Sequence, residues 1–467
     1  MDTITEPKLD WTAVDDPEAV SADTAGSEAK LLTGSSWIDE EWSKAAETIP
    51  ADLEKTARET NALLRRREIK QASDLLRLVL AYCVCDWSLR LVGLWANLQG
   101  IGNMSDVAVM KRIQKSREWI ETLVSIMLQA RRLKLKAAHP VRVRIVDGSS
   151  ISVPGSTGTD YRLHLSLDLG SQRIDGIEVT DVHGGETLAR HPSQPGDIWL
   201  ADRGYARRPD VGAILEAGRK IVIRFGWSTF PLELDKTPFD LFAWLRQIPA
   251  LEPAERIVVV VAPQGRFSVR LIAQRLPQEA AEKNRRRIRQ RASKSGRTPD
   301  KRTLEAAGYI FLVTNLSASQ WATVQVLELY RLRWQVELVF KRLKSILDLD
   351  QLRAKGPLLA QTYLLGKVLA ALILDTMSDE ALQRYPALFS NTHRPLSAWR
   401  WTAVGRDFLY QAVRGHVSWH RFLDKLPSLI RYLCVSSRHK RRNQAAAARI
   451  LLGRLLGPQA LAPPALS

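Results

Sequence analysis

YRLRWQVELVFKRLKSIL, residues 330–347, is the stretch on which the reading of this chain turns. At about 100° per residue, Tyr330, Arg333, Glu337 and Lys344 fall within an arc of about 60° on a helix. Val336, Val339, Leu343, Ile346 and Leu347, with Phe340 at the edge, take the arc from about 160° to about 260°. One helix over 330–347 is therefore expected, with a core stripe and a narrow polar seam beside it. Charges three, four and seven residues apart are common on exposed helices, so the seam alone also fits a solvated face. Partners elsewhere in the chain have to decide between the two readings.

The chain has 467 residues, 45% hydrophobic and 25% charged, which fits a folded protein of two to four domains. Its formal charge of +18 points to a polyanionic partner, nucleic acid before an anionic membrane surface. Cys83, Cys85 and Cys434 are too few for a disulfide framework and fit a reducing cytoplasm. Cys83 and Cys85 have no second pair with which to hold zinc. The first twenty residues are acidic and lack the apolar run of a secretion signal. The most apolar stretch, LLGKVLAALILDTM, is short, carries Lys367 and Asp375, and reads as a buried helix.

Residues 1–35 read as an acidic flexible lead-in. Residues 36–138 are helical in pattern, with Ser105 placed to cap the second of two helices around GIGNMSD. That pair, with Lys111, Arg112 and Lys115, fits a DNA-binding helical unit or a plain helical hairpin. At residue 139 the period changes. VRVRIVD (141–147), YRLHLSLDL (161–169), RIDGIEVTDV (173–182), DIWLAD (197–202) and RKIVIRF (219–225) read as strands. A short helical piece at GGETLARH and a helix at RPDVGAILEAG interrupt them. This is a ribonuclease-H-like order, a mixed α/β sheet with helices on its faces. Residues 139–225 would form the first part of that core and 319–377 the second. Residues 226–318, with ERIVVVVA, FSVRLIAQR and GYIFLVTNL, read as a β-rich insertion. Within it, 283–302 holds ten Lys or Arg against one Asp. Residues 378–467 read as a helical tail with its own basic cluster, SRHKRRNQ.

Asp147 and Asp202 are each expected at a strand end, followed by glycine-assisted turning that projects the carboxylate into the crevice at the sheet edge. A lone Asp after a strand is more often a turn residue than a ligand. Here the first and fourth strands would be neighbours, so the two acids would crowd, at a cost unless cations hold them. Glu337 on the returning helix supplies a third carboxylate. Three oxygen donors without a His or Cys cluster suit Mg²⁺ or Mn²⁺. Two such ions serve phosphodiester chemistry, one activating the attacking oxygen and one stabilising the leaving oxygen. Arg333 can grip a phosphate oxygen bidentately, Lys344 can act as a point charge and Tyr330 can offer a hydroxyl.

The spacing Y-x₂-R-x₃-E-x₆-K, met by Tyr330, Arg333, Glu337 and Lys344, resembles the signature of bacterial cut-and-paste transposases of the insertion sequence 4 family, transposon five among them. Asp147 in IVDGS and Asp202 in LADRGY match the other acidic positions of that family's DDE triad. GTDYRLHLSLDL, ETLARH and QLRAKGP are also similar, and the resemblance spans about residues 36–375. It implies a ribonuclease-H-like core, two Mg²⁺ ions for which Mn²⁺ can substitute, and metal-holding roles for Asp147, Asp202 and Glu337. It implies double-stranded DNA as partner, both inverted-repeat ends and target, and a homodimer on paired ends. It also implies cleavage through a hairpin and a flipped base held on an aromatic side chain, for which Trp227, Trp321 and Trp334 are the candidates. DNA contacts are expected from Tyr330, Arg333, Lys344 and the run Arg285, Arg286, Arg287 and Arg289, with residues 36–138 binding the ends. The place of action would be the bacterial cytoplasm, at the nucleoid, and no membrane is expected as partner. A catalytically silent repressor, a decayed element or a metal-dependent nuclease are the alternatives.

Overall fold

A computed structural model describes residues 35–138, 141–250, 252–389, 396–415 and 451–455. The acidic lead-in up to residue 34, the cluster SRHKRRNQ, Cys434 and most of the tail lie outside them. Six helices come first: α1 (Ser35–Glu47), α2 (Leu53–Glu59), α3 (Ala72–Val84), α4 (Leu89–Leu98), α5 (Asp106–Lys115) and α6 (Arg117–Ala138). Ser105 caps α5, its hydroxyl accepting from the Ala108 amide at 3.3 Å. The α4–α5 pair closes tightly, since a Cβ on Gly93 would stand 2.7 Å from the Met104 carbonyl oxygen. Lys111 and Lys115 lie exposed on α5.

The sheet follows, with β1 (Arg142–Ile151), β2 (Tyr161–Asp168), β3 (Arg173–Asp181), β4 (Asp197–Ala201), α7 (Arg208–Glu216) and β5 (Lys220–Arg224). Then come β6 (Leu232–Leu234), β7 (Thr237–Pro238), α8 (Leu241–Arg246), β8 (Pro253–Ala262), β9 (Gly265–Arg275), α9 (Gln278–Lys294), α10 (Lys301–Ala306) and β10 (Tyr309–Thr314). The ten strands form one sheet in the order β3-β2-β1-β4-β5-β10-β9-β8-β6-β7. Only β1–β4 and β4–β5 run parallel; the other neighbours are antiparallel. The strands of 226–318 therefore extend the sheet beyond β5, with β10 paired directly to it. Periodicity assigns no element to the basic run 283–302, which lies in α9 and at the start of α10.

VRVRIVD forms the expected strand, and neither face of it is wet at this end. Arg142 through Val146 are all buried. The two arginines are accommodated by ion pairs: Arg142 grips Asp197 on β4 at 3.0 Å and Asp175 on β3 at 3.4 Å. Arg144 reaches Asp175 at 2.7 Å and Asp197 at 3.2 Å. Buried and paired, these charges tie β1 to β4 beside it and, across β2, to β3.

The chain then returns through α11 (Thr323–Arg331), α12 (Trp334–Leu347), α13 (Pro357–Arg384), α14 (Pro386–Phe389) and α15 (Ala398–Arg414). The single helix expected over 330–347 is two. At the joint, the amides of Leu332, Arg333, Gln335 and Val336 donate to carbonyls three residues back, so the winding tightens locally. The core stripe holds, for Val336, Val339, Phe340, Leu343, Ile346 and Leu347 are all buried. The end of α12 is fastened by cations where orphan carbonyls and the helix dipole favour them. Lys367 Nζ donates to the Leu347 carbonyl at 2.6 Å and Arg406 to that of Ile346 at 3.0 Å.

Helix α13 lies at the centre of the main core, packed on α3, α6, α15 and β3. It is long and apolar enough to cross a membrane, but 83% of its apolar window is buried in the protein. Its close approach to α3 needs Gly366, because a Cβ there would stand 2.5 Å from Cys83 Sγ. One hydrophobic core runs from Trp42 through the first sheet strands to α12, α13 and α15. The N-terminal helices thus share their core with the elements that carry the site.

Candidate active site

Strands β1 and β4 pair in parallel up to Val146 and Ala201. Asp147 and Asp202 are the next residues on each, so adjacent parallel strands deliver two carboxylates to one edge. Asp202 leaves β4 and leads into a tight turn at Arg203–Tyr205. Asp147 does not end its strand, as the sequence suggests. β1 continues to Ile151, and Gly148 pairs with His164 instead of turning the chain. What stops at Asp147 is the pairing with β4. Gly148 is wanted for space, since a Cβ there would lie 3.0 Å from Glu186 Oε1.

The α11–α12 joint faces this edge. The Tyr330 hydroxyl donates to Asp202 Oδ1 at 3.3 Å. Arg333 donates from Nη1 to Asp147 Oδ2 at 3.4 Å and from Nη2 to Glu337 Oε1 at 2.5 Å. Three of the four seam residues therefore touch one another or the two aspartates, which a solvated face does not explain. Lys344, two turns further along α12, is half-buried and makes no hydrogen bond or ion pair among the described residues. Tyr330 is held neutral by burial and by the charge of Asp202, both of which raise its pKa.

Burial pushes the Asp147 carboxyl up from 3.8 to about 6, against the pull of Arg333 and the Gly148 amide; Asp202 and Glu186 push the same way. A carboxyl raised in the folded state binds its proton more tightly there. Its contribution to stability is complete below about pH 4 and is lost as pH rises through about 6. Asp147→Asn is therefore expected to raise the melting temperature of metal-free protein at pH 7.5 and to leave it unchanged at pH 4. The gain is at most about 3 kcal/mol for a shift of about two units. Scanning calorimetry of both proteins at the two pH values checks it, and equal melting temperatures at pH 7.5 would refute it.

The carboxylates and the Tyr330 hydroxyl that meet at this edge offer oxygen, which suits a hard divalent cation. Among the described residues, no three His, Cys, Asp or Glu side chains converge closely enough to hold one ion as they stand. The Arg333 guanidinium bridges Asp147 and Glu337.

The other expected contacts separate. Arg286, Arg287 and Arg289 are exposed on α9, whereas Arg285 turns inward to the Leu304 carbonyl and Glu282 and ties α9 to α10. Trp321 is 6% exposed and Trp227 packs edge-on against Phe242 under Arg302. Trp334, next to Arg333, is 47% exposed. The sequence reading passes over Glu186, in ETLARH, which reaches the same edge. Its signal is the glycine that follows each aspartate, as Gly148 and Gly204.

Residues 139–373 match the family described as "Transposase DDE domain". Over 344 residues the chain is 37% identical to "Putative transposase InsL for insertion sequence element IS186A" of Escherichia coli strain K12, covering 72% of this chain and 93% of that protein. It is 36% identical over 345 residues to "Transposase for insertion sequence element IS421" of Escherichia coli, with the same coverages. It is 24% identical over 432 residues to "Transposase for insertion sequence element IS231F" of Bacillus thuringiensis subsp. israelensis, covering 82% and 88%.

Proposed function

Because this chain belongs to the DDE transposases of insertion sequences, we propose that it moves its own element by cut-and-paste transposition, in the manner of the insertion sequence 4 group. The observation that carries this reading is the convergence of Tyr330, Arg333 and Glu337 on Asp147 and Asp202. The order β3-β2-β1-β4-β5, antiparallel then parallel, supports a ribonuclease-H-like core. Asp147, Asp202 and Glu337 would hold the metal, Mg²⁺ by preference with Mn²⁺ as substitute. Two such ions, when bound, activate the attacking oxygen and stabilise the leaving one. Arg333 leaves the carboxylates for a phosphate oxygen, which its planar fork matches in two hydrogen bonds. Tyr330 and Lys344 steady the same strand, and Trp334 offers a ring to an unstacked base.

Residues 36–138 bind the inverted-repeat ends, with Lys111 and Lys115 toward phosphates, and Arg286, Arg287 and Arg289 extend the basic surface. Two chains assemble on paired ends in the bacterial cytoplasm, at the nucleoid. The test is incubation of the purified chain with Mg²⁺ and linear DNA bearing its element's ends. The expected product is a nick that frees a 3′-hydroxyl, followed by a hairpin, which runs as a single strand of doubled length on a denaturing gel. Binding without cleavage would mean a silent repressor. Cleavage regardless of end sequence would mean a nuclease.

A further inference from the structure

Glu186 belongs to none of the motifs that define the triad, yet it lies against both aspartate strands. A Cβ on Gly204 would stand 1.9 Å from its Oε2, and one on Gly148 would stand 3.0 Å from its Oε1. Those glycines follow Asp202 by two residues and Asp147 by one. The carboxylate is thus seated across the ends of the two strands, in space that any other residue at 204 would fill. The loop that carries it is built. Arg190 donates to the Gly185 carbonyl at 2.9 Å and pairs with Glu178 at 2.8 Å, while Leu188 is buried beneath. Glu186 itself makes no hydrogen bond or ion pair among the described residues.

An independent observation comes from Tyr205, which directly follows Gly204. Its ring is fully buried and its hydroxyl has no hydrogen-bond partner. The charges of Glu186 and Asp147 both act on that hydroxyl. A buried donor left unpaired is costly, and this one lies within the electrostatic reach of two carboxylates. Counting Glu186, four carboxylates gather at this edge, and among the described residues Arg333 is the one cation paired with any of them, although Arg162, Arg190 and Arg224 also act on the tyrosines beside them. Carboxylates crowded at a partly desolvated edge, two of them without an ion pair, favour a bound cation.

We infer that Glu186 is a fourth acidic residue of the catalytic centre, a positioning residue that draws the divalent cation to the Asp147–Asp202 pair, with Tyr205 orienting its carboxylate. This rests on the transposase reading of the site, and the test separates the two. Mn²⁺ binding to the full chain without DNA is followed by the paramagnetic resonance signal of the free ion, for wild type, Asp147→Asn, Glu186→Gln and Gly204→Ala. Glu186→Gln keeps the shape and removes the charge. Gly204→Ala pushes the carboxylate away, at a backbone position that tolerates alanine. Both are expected to weaken Mn²⁺ binding about 10-fold or more, as losses of supporting metal contacts do. Melting temperatures confirm folding, and Gly204→Ala carries the test should Glu186→Gln not fold. End cleavage by Glu186→Gln is expected to recover as Mg²⁺ is raised, which a merely structural role would not produce. If Glu186→Gln and Gly204→Ala bind Mn²⁺ like wild type while Asp147→Asn is weakened, Glu186 has no such role and the triad stands. If wild type binds no Mn²⁺, the metal reading of the triad falls and the role of Glu186 with it.

Discussion

Asp202→Ala is expected to bind its DNA ends about as well as wild type and to cleave neither strand. The same holds for Asp147→Ala and Glu337→Ala. Each carboxylate is proposed to serve the metal and to add little to DNA affinity, which comes from the basic surfaces. The loss should be at least about 10³-fold in rate, or roughly 4 kcal/mol of barrier, because both the attacking and the leaving oxygen lose their stabilisation. Mn²⁺ should support wild-type cleavage. Ca²⁺, larger and looser in coordination, should support end binding without cleavage. Gel-shift and denaturing-gel assays on one labelled end measure the two quantities separately. Normal cleavage by any of the three variants would remove that residue from the triad.

The second large effect is expected at Arg333, which touches Asp147 and Glu337. Arg333→Ala should lower strand cleavage by about 100-fold or more, the usual cost of removing one preorganised donor from a charged centre. Arg333→Lys should still be impaired by about 10-fold, since an ammonium cannot reproduce the planar fork that spans two acceptors. Arg331, exposed at the end of α11, serves as the control. Its alanine variant should change stability by less than about 0.5 kcal/mol and cleave at a near-normal rate. All three are measured on the same end substrate, with melting temperatures alongside. Equal cleavage by the three would return the seam to a surface role and leave Glu337 as its one functional member.

Periodicity carried much of the fold. Alternation and β-branched residues mark β2 through β5, and the stripe from Val336 to Leu347 is buried as its spacing requires. Ser105 sits at the cap its position suggests. The neighbouring of β1 and β4 follows from the order of strands and helices. Other features escaped for physical reasons. The burial of Arg142 and Arg144 in β1 is one, because the sequence does not say that Asp175 and Asp197 will come to meet them. Helical periodicity also runs through the α11–α12 joint unbroken, since a switch to three-residue hydrogen bonding needs no Gly or Pro.

The sequence by itself determined the residue types and spacings: two aspartates after strand patterns, and Tyr330, Arg333 and Glu337 on one seam. These are local properties, set by the period of each element. Only the tertiary structure decided what meets what. Arg333 bridges Asp147 and Glu337 across 186 and four residues of chain. Asp147 lies within a strand and not at its end. Gly148 and Gly204 are spared a side chain so that Glu186, from a third loop, can reach the same edge. Contacts between distant segments depend on how the sheet and α12 pack, and packing is a property of the whole core that no single period encodes.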